Sequence, residues 1–156
     1  MKNLLFGFVV LVSAGLCLAS CSSDDSEDNM EAVSIDSMLC HKWILVGYGN
    51  DQDFHIDDGD DDGYIGFNAS VTFHTDGTFD SYVEPNEGYG EYKCKGNQIL
   101  FVSYTHTQGE SANPIYGFIG DHLFQQNVNQ TYQLISDTEL RIYYEGDHYF
   151  KFYRKD

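Results

Sequence analysis

The chain has 156 residues and is strongly acidic, because eight Lys and Arg oppose 25 Asp and Glu and give a formal net charge of −17 at pH 7. This charge argues against nucleic acid as a partner and against docking of a protein face on anionic lipid, since both depend on cationic contacts. The abundant Tyr and Phe, with 15 Gly and only two Pro, favour sheet over helix. The length fits a single domain with one core.

Residues 1–20 have the order of a secretory signal peptide, with Lys2 ahead of an apolar run over residues 4–18. As a helix this run would span about 22 Å, less than the ~30 Å hydrocarbon core, which predicts a cleaved signal and not a stable span. A lipobox with a small serine precedes Cys21, whereas a bulky leucine precedes Cys17. We predict a bacterial lipoprotein anchored in the membrane through lipid on Cys21; an ordinary signal peptide or an uncleaved anchor is the alternative.

Residues 21–38 are predicted to form an acidic, flexible tether. The segment Ser22–Asn29 has no apolar residue and carries four carboxylates, so it cannot pack into a core. It is either only a solvated spacer or also an export signal, because it resembles the acidic run with which some Gram-negative bacteria move lipoproteins to the outer face. We expect a lipid-anchored protein of the outer membrane in the bacterial cell envelope, facing either the periplasm or the cell surface.

Residues 39–156 are predicted to form one all-β domain, since short runs with a period of two alternate with turn residues. Asp76-Gly77 is the strongest hairpin signal, because both turn positions of such a hairpin need positive φ. Sequential strands in this number leave an exposed edge unless the sheet closes, so we predict a small antiparallel meander that closes into a barrel. The predicted strands are Trp43–Tyr48, Ser70–Thr75, Thr78–Val83, Glu91–Cys94, Gln98–Tyr104, Thr131–Ile135, Glu139–Tyr144 and His148–Arg154.

Residues 113–128 depart from the strand pattern and predict one short helix. Asn113 suits the N-cap, Pro114 suits the first helical position, and apolar residues from Ile115 to Leu123 fall on one stripe. Two glycines within the segment lower its helix propensity. We expect this helix to plug one mouth of the barrel or to pack on its side.

Several strand and hairpin segments share a cadence with a known family: Lys42–Leu45, Val71–Phe79, Gly90–Tyr92, Gly96–Ile99, Glu139–Tyr144 and Phe150–Phe152. Over roughly residues 39–154 the chain resembles the META/HslJ-like small β-barrel lipoproteins, and lipocalin-like bacterial lipoproteins share much of the pattern. The resemblance implies a non-enzymatic envelope module with no agreed substrate. The chain departs from the family at Pro85–Gly88, where the family often carries a Gly-Cys-Asn element.

The acidic run that begins at Asp57 contains the pattern most able to bind a metal. Asp58, Asp60 and Asp62 match the Asp-x-Asp-x-Asp-Gly order of a calcium loop, but Ala69 occupies the twelfth position, where a bidentate Glu is needed. We expect a solvated acidic loop; the alternative is a looser Ca²⁺ turn with a dissociation constant of the order of 10⁻⁴ to 10⁻³ M.

Cys40 and Cys94 are the thiols that remain after acylation, and export would bring them to a compartment where disulfides form. A bridge would close a loop of about 55 residues and stabilise the fold by roughly 4 kcal/mol. Two buried, unpaired thiols that act as small apolar side chains are the alternative.

No catalytic motif stands out, because the chain has no nucleophile elbow, phosphate loop or dinucleotide fingerprint, and its six histidines are scattered. The sequence therefore predicts a non-enzymatic module that binds a protein or an envelope polymer, with no cofactor apart from the weak Ca²⁺ alternative. A lipocalin-like carrier of a small apolar ligand ranks second, and a glycan hydrolase ranks third.

Two sets of side chains bear on that ranking. An interior filled by its own side chains disfavours the carrier, and the side chains predicted to fill it are Trp43, Phe73, Phe79, Phe101, Leu134, Leu140, Ile142, Phe150 and Phe152. Tyrosines near strand ends or loops could provide a binding surface, and these are Tyr48, Tyr64, Tyr82, Tyr89, Tyr104 and Tyr116.

The calcium alternative can be tested directly. We expect the melting temperature of the EDTA-treated protein to stay unchanged when millimolar Ca²⁺ is added, because a solvated loop gains no ligand contacts. A Ca²⁺-dependent rise that Asp60→Asn abolishes would establish the site.

Overall fold

A computed structural model of the chain describes residues 35–56 and 67–156. The predicted signal peptide, the acylation site Cys21 and the acidic loop with Asp58, Asp60 and Asp62 lie outside the described residues. The described elements are β1 (Lys42–Gly49), β2 (Phe54–Ile56), β3 (Ala69–Phe73), β4 (Thr78–Val83), β5 (Asn86–Lys95), β6 (Gln98–His106), α1 (Pro114–Leu123), β7 (Asn129–Leu134), β8 (Glu139–Glu145) and β9 (His148–Lys155).

The strands form one antiparallel sheet in the order β2-β1-β3-β4-β5-β6-β7-β8-β9. The sheet closes because β1 also pairs with β9, from Lys42 opposite Lys155 to Gly49 opposite Tyr149. On its other side β1 pairs first with β3 and then with the short β2. The predicted meander that closes into a barrel, with one short helix, is confirmed.

The two ends of the barrel are built differently. The helix end carries α1, the β4–β5 and β8–β9 turns and the last residues of β1. The closed end carries the β3–β4, β5–β6 and β7–β8 turns together with residues 35–41. Within residues 35–56 and 67–156, no helix is long and apolar enough to cross a membrane.

Aromatic side chains fill the interior, as the alternation of the strands predicts. Phe73 contacts the ring of Tyr92 at a centroid distance of 4.8 Å, and Phe79 contacts those of Phe101 and Phe124 at 5.1 and 5.3 Å. Of the predicted interior residues only Leu134 is partly buried; the others are 0–1% exposed, namely Trp43, Phe73, Phe79, Phe101, Leu140, Ile142, Phe150 and Phe152.

Residues 35–41 cover the closed end. Leu39 is fully buried, and its carbonyl accepts a hydrogen bond of 2.8 Å from the indole nitrogen of Trp43. The phenol of Tyr132 donates to a carboxylate oxygen of Asp36 at 3.1 Å, and Ile35 packs against the core. Ile35 and Asp36, which the sequence assigns to the tether, therefore contact the barrel, whereas Ser37 and Met38 are exposed.

The strand β5 begins five residues before the predicted strand Glu91–Cys94. The prediction was too short because two glycines in the first half of β5 look like turn residues in the sequence. Gly88 and Gly90 face the interior, where the rings of Tyr104 and Phe79 occupy the space that a side chain would need. A glycine in a strand often marks such a close approach. The three-residue strand β2 was not predicted.

The hairpin at Asp76-Gly77 forms between β3 and β4, but its turn differs from the predicted one. Gly77 has a φ of +85°, whereas Asp76 does not lie in the positive-φ region. The amide of His74 donates to the carbonyl of Thr78, so three residues form the loop and only its last position needs positive φ. The Asp76 carboxylate accepts hydrogen bonds from the amide and hydroxyl of Thr78.

A pair of glycine substitutions tests this packing. Gly90→Ala should lower the free energy of unfolding by about 1–3 kcal/mol, because the added Cβ would overlap the Ser103 carbonyl and lie 2.7 Å from the Phe79 ring. Gly117→Ala in α1 should raise it by up to about 1 kcal/mol, because alanine favours helix and the added Cβ would meet nothing within 4 Å. Urea denaturation measures both, and equal effects would contradict the described packing.

Candidate binding groove at the helix end

A groove of about 620 Å³ opens to solvent at the helix end, between α1 and the inner face of strands β4 to β6. Its aromatic floor includes Tyr104 and Phe124, whose ring centroids lie 4.5 Å apart. Both rings pack on Phe79, at 5.9 and 5.3 Å, so the core beneath holds the floor in place. Burial raises the pKa of Tyr104, which keeps its phenol neutral.

The helix α1 forms one wall. Asn113 caps it by accepting a hydrogen bond from the amide of Ile115, and Pro114 occupies the first turn, as the sequence predicts. Ile119 and Leu123 anchor the opposite face in the core. Gly117 and Gly120 lie on the groove side, where an added Cβ would meet nothing within 4 Å, and their lack of side chains leaves the groove open.

The segment after β6 forms the second wall, and the amide group of Asn86 holds it. The Oδ1 atom of Asn86 accepts hydrogen bonds from the amide of Gly109 at 2.6 Å and from the hydroxyl of Thr107 at 3.2 Å. Its Nδ2 atom donates to the carbonyl of Gly109 at 3.0 Å. A single side chain thus ties the β4–β5 turn to the wall of the groove.

The barrel wall is incomplete next to this groove. Strand β6 pairs with β7 only over Gln98–Leu100, although β6 extends to His106. Beyond that point the segment after α1 runs alongside β6: the amide of Asn127 donates to the carbonyl of Phe101, and the side chain of Gln126 reaches the carbonyl of Tyr104 at 3.4 Å. The groove therefore lies where the ladder of paired strands is interrupted.

The groove carries negative charge on three separate parts of the chain. Glu84 follows β4, Glu110 lies in the segment after β6, and Asp121 lies on α1. The groove lining contains no Lys or Arg. The Glu84 carboxylate accepts a hydrogen bond of 2.8 Å from the side-chain amide of Asn68, which is a neutral partner. The electrostatic environment of the groove is thus acidic, like that of the whole chain.

The tyrosines predicted as binding residues do not all lie in the groove. Tyr104 and Tyr116 line the groove, and Tyr48 packs at the same end against Phe118 of α1. Tyr89 is 64% exposed and lies with Tyr82 along a second open depression, of about 630 Å³, on the outer face of strands β3 to β6. Tyr64 lies outside the described residues.

The two cysteines lie at the closed end and not in the groove. Both are free thiols in the structure. The sulfur of Cys40 lies 3.7 Å from the phenol oxygen of Tyr92, which donates to the carbonyl of His74 at 2.9 Å. Burial raises the pKa of Cys94 to about 11. The disulfide between them stays a prediction for the oxidised protein.

No group of three or more His, Cys, Asp or Glu side chains within residues 35–56 and 67–156 is arranged to hold a metal ion. The predicted calcium ligands Asp58, Asp60 and Asp62 are not among these residues, so the Ca²⁺ turn stays a prediction. The groove itself combines residues from Val83 to Gln126 that are distant in sequence, and no spacing motif connects them.

No protein-family model matches the chain, and no curated protein matches it significantly. Solved structures share its fold: an NMR structure of a protein from Burkholderia xenovorans superposes with a TM-score of 0.57 at 16% identity, covering 80% of this chain and 94% of that one. A crystal structure of a DUF4847 family protein from Bacteroides vulgatus gives 0.54 at 17% identity, covering 77% and 97%. The likeness concerns the fold of a small β-barrel-like protein; the META/HslJ resemblance stays a prediction.

The buried thiol and phenols at the closed end should make the folded protein less stable at alkaline pH. The Cys94 thiol has an ordinary pKa of 9.0, which burial raises to about 11, so between these values the unfolded chain releases a proton that the folded chain keeps. Burial also raises the pKa values of Tyr92 and Tyr132. The free energy of unfolding should therefore fall as the pH rises from about 9 to about 11, with Cys94 contributing up to roughly 2 kcal/mol.

Denaturation in urea at pH 8 and pH 10.5 measures this loss. Cys94→Ala should show a smaller loss between the two values, whatever its stability at pH 8, because it lacks the titrating thiol. An identical loss in the variant and the native protein would show that Cys94 does not carry the effect.

Proposed function

We propose that this protein is a non-enzymatic lipoprotein of the bacterial cell envelope that binds its partner in the groove at the helix end. The observation that carries the proposal is the contrast between a filled interior and an open groove. The interior is occupied by rings that are almost completely buried, whereas the groove has a volume of about 620 Å³, within the range of ligand sites.

The filled interior counts against the lipocalin-like carrier. Such a carrier encloses an apolar ligand inside the barrel, but Phe73, Phe79 and Phe101 already occupy that space. The groove is open and partly polar, with carboxylates and amides on its walls. It therefore suits a polar ligand or an exposed segment of a larger partner better than a free apolar molecule.

The position of the groove agrees with attachment through the N-terminus. Residue 35 lies at the closed end, where Ile35 packs beside the β3–β4 turn at Gly77. The groove lies at the opposite end, between α1 and residues such as Tyr104. A lipid anchor on Cys21 would thus join the barrel at the end away from the groove.

The test uses the acylated protein in its own envelope, with crosslinking in intact membranes. Gly120→Leu should remove the crosslinked partner, because the new side chain enters the groove without meeting neighbouring atoms. Tyr89→Ala changes an exposed ring on the outer face of the barrel and should leave the crosslinks intact. Crosslinks that survive Gly120→Leu would refute the groove as the binding site.

Membrane fractionation tests the anchor in the same cells. Cys21→Ala should leave the membrane fraction, since the lipid is lost, and mass spectrometry of the native protein should find acyl chains on residue 21. Cys17→Ala is the matched control and should stay in the membrane. A Cys21→Ala protein that remains fully membrane-bound would contradict the anchor.

A further inference from the structure

We propose that the ligand of the helix-end groove is an organic cation that carries ammonium or guanidinium groups. This inference rests on the proposed function, because it assigns a ligand class to the same groove. It depends on three observations: carboxylates without an ion-pair partner on the walls, a separation of charge along the barrel, and an aromatic floor.

The carboxylates reach the groove from different sides. Glu84 comes from the end of β4, Glu110 from the segment after β6, and Asp121 from the helix. Within the described residues none of the three forms an ion pair, so their charges are not neutralised by the protein. A cation in the groove would be approached by acceptors from three walls, which fits the several donors of an ammonium or guanidinium group.

The distribution of basic residues strengthens this charge. Arg141 and Lys151 lie within β8 and β9, where Glu139 pairs with both at 3.3 and 3.2 Å. The other Lys and Arg of the described residues lie at the closed-end termini of their strands, and these are Lys42, Lys93, Lys95, Arg154 and Lys155. The barrel is therefore polarised along its axis, and its field draws cations to the helix end and repels anions from it.

The floor and the helix wall suit the size and chemistry of such a ligand. The rings of Tyr104 and Tyr116 line the groove, and Tyr104 is stacked on His106 at 5.3 Å and packed on Phe124 at 4.5 Å. Aromatic rings attract cations through their quadrupole. Gly117 and Gly120 leave room for the methylene chain that joins the charged groups, because no side chain projects from them. The ligand could be a free polyamine or basic side chains of a partner protein, and both offer the same charged groups.

Calorimetry on the mature acylated protein in neutral detergent tests the ligand class, with spermidine, trilysine, triglutamate and cellotetraose as probes. Spermidine and trilysine should bind, and triglutamate should not. The double variant Glu110→Gln with Asp121→Asn should weaken cation binding by about tenfold, as expected for two weak ion pairs. The double variant Glu91→Gln with Asp137→Asn makes the same charge change away from the groove and should alter it less than about twofold.

The outcomes distinguish a wrong ligand class from a wrong binding site. Equal losses in the two double variants, or binding of cellotetraose in preference to the cations, would overturn the assignment of a cation. If Gly120→Leu still removes the envelope crosslinks in that case, the proposed function stands with a different ligand. If Gly120→Leu affects neither the crosslinks nor cation binding, the groove is not the site and both proposals fail. Preference for trilysine over spermidine would assign the cation to a partner protein.

Discussion

Closure of the sheet around a solid aromatic core is the constraint on which the rest of this structure depends. The pairing of β1 with β9 closes the sheet and limits the interior volume, and rings such as Phe73, Phe79 and Phe101 then fill it. A core packed in this way has no space for a ligand, and changing the volume of a core side chain by even one methylene group destabilises the fold. Binding chemistry must therefore lie at the ends or on the outer face of the barrel.

The two ends meet this constraint in different ways. At the closed end the chain before β1 covers the core, and the phenols of Tyr92 and Tyr132 and the thiol of Cys40 donate hydrogen bonds to backbone carbonyls or to the Asp36 carboxylate. At the helix end α1 covers only part of the mouth, because β6 loses its pairing with β7 after Leu100 and the helix presents Gly117 and Gly120 to the remaining gap. The groove is thus what remains of a barrel mouth that one short helix cannot fill.

The sequence predicted most of the fold and little of the site, for a physical reason. Alternation and turn residues are local signals, so they identified most of the strands and the helix start at Pro114. Gly88 and Gly90 look like turn residues in the sequence, but they lie within β5. Glycine is needed there because aromatic rings distant in sequence occupy the space of a side chain. The groove gathers residues from separate elements and no spacing reveals it, although Tyr104 and Tyr116 were among the predicted binding residues. Gly117 and Gly120 of α1 also line the groove, but in the sequence they only weakened the helix prediction.

The free energies of ion pairs and of ring contacts explain why charge and shape must act together in this groove. An exposed ion pair contributes about 0.2–1 kcal/mol, so three carboxylates supply at most about 3 kcal/mol, whereas millimolar affinity needs about 4 kcal/mol. Contact with the rings of Tyr104 and Tyr116 has to provide the remainder, and the absence of helix side chains at Gly117 and Gly120 permits that contact. Affinity in the groove should therefore depend on several charged groups spaced along one apolar chain, and a single ammonium ion would be held too weakly to matter.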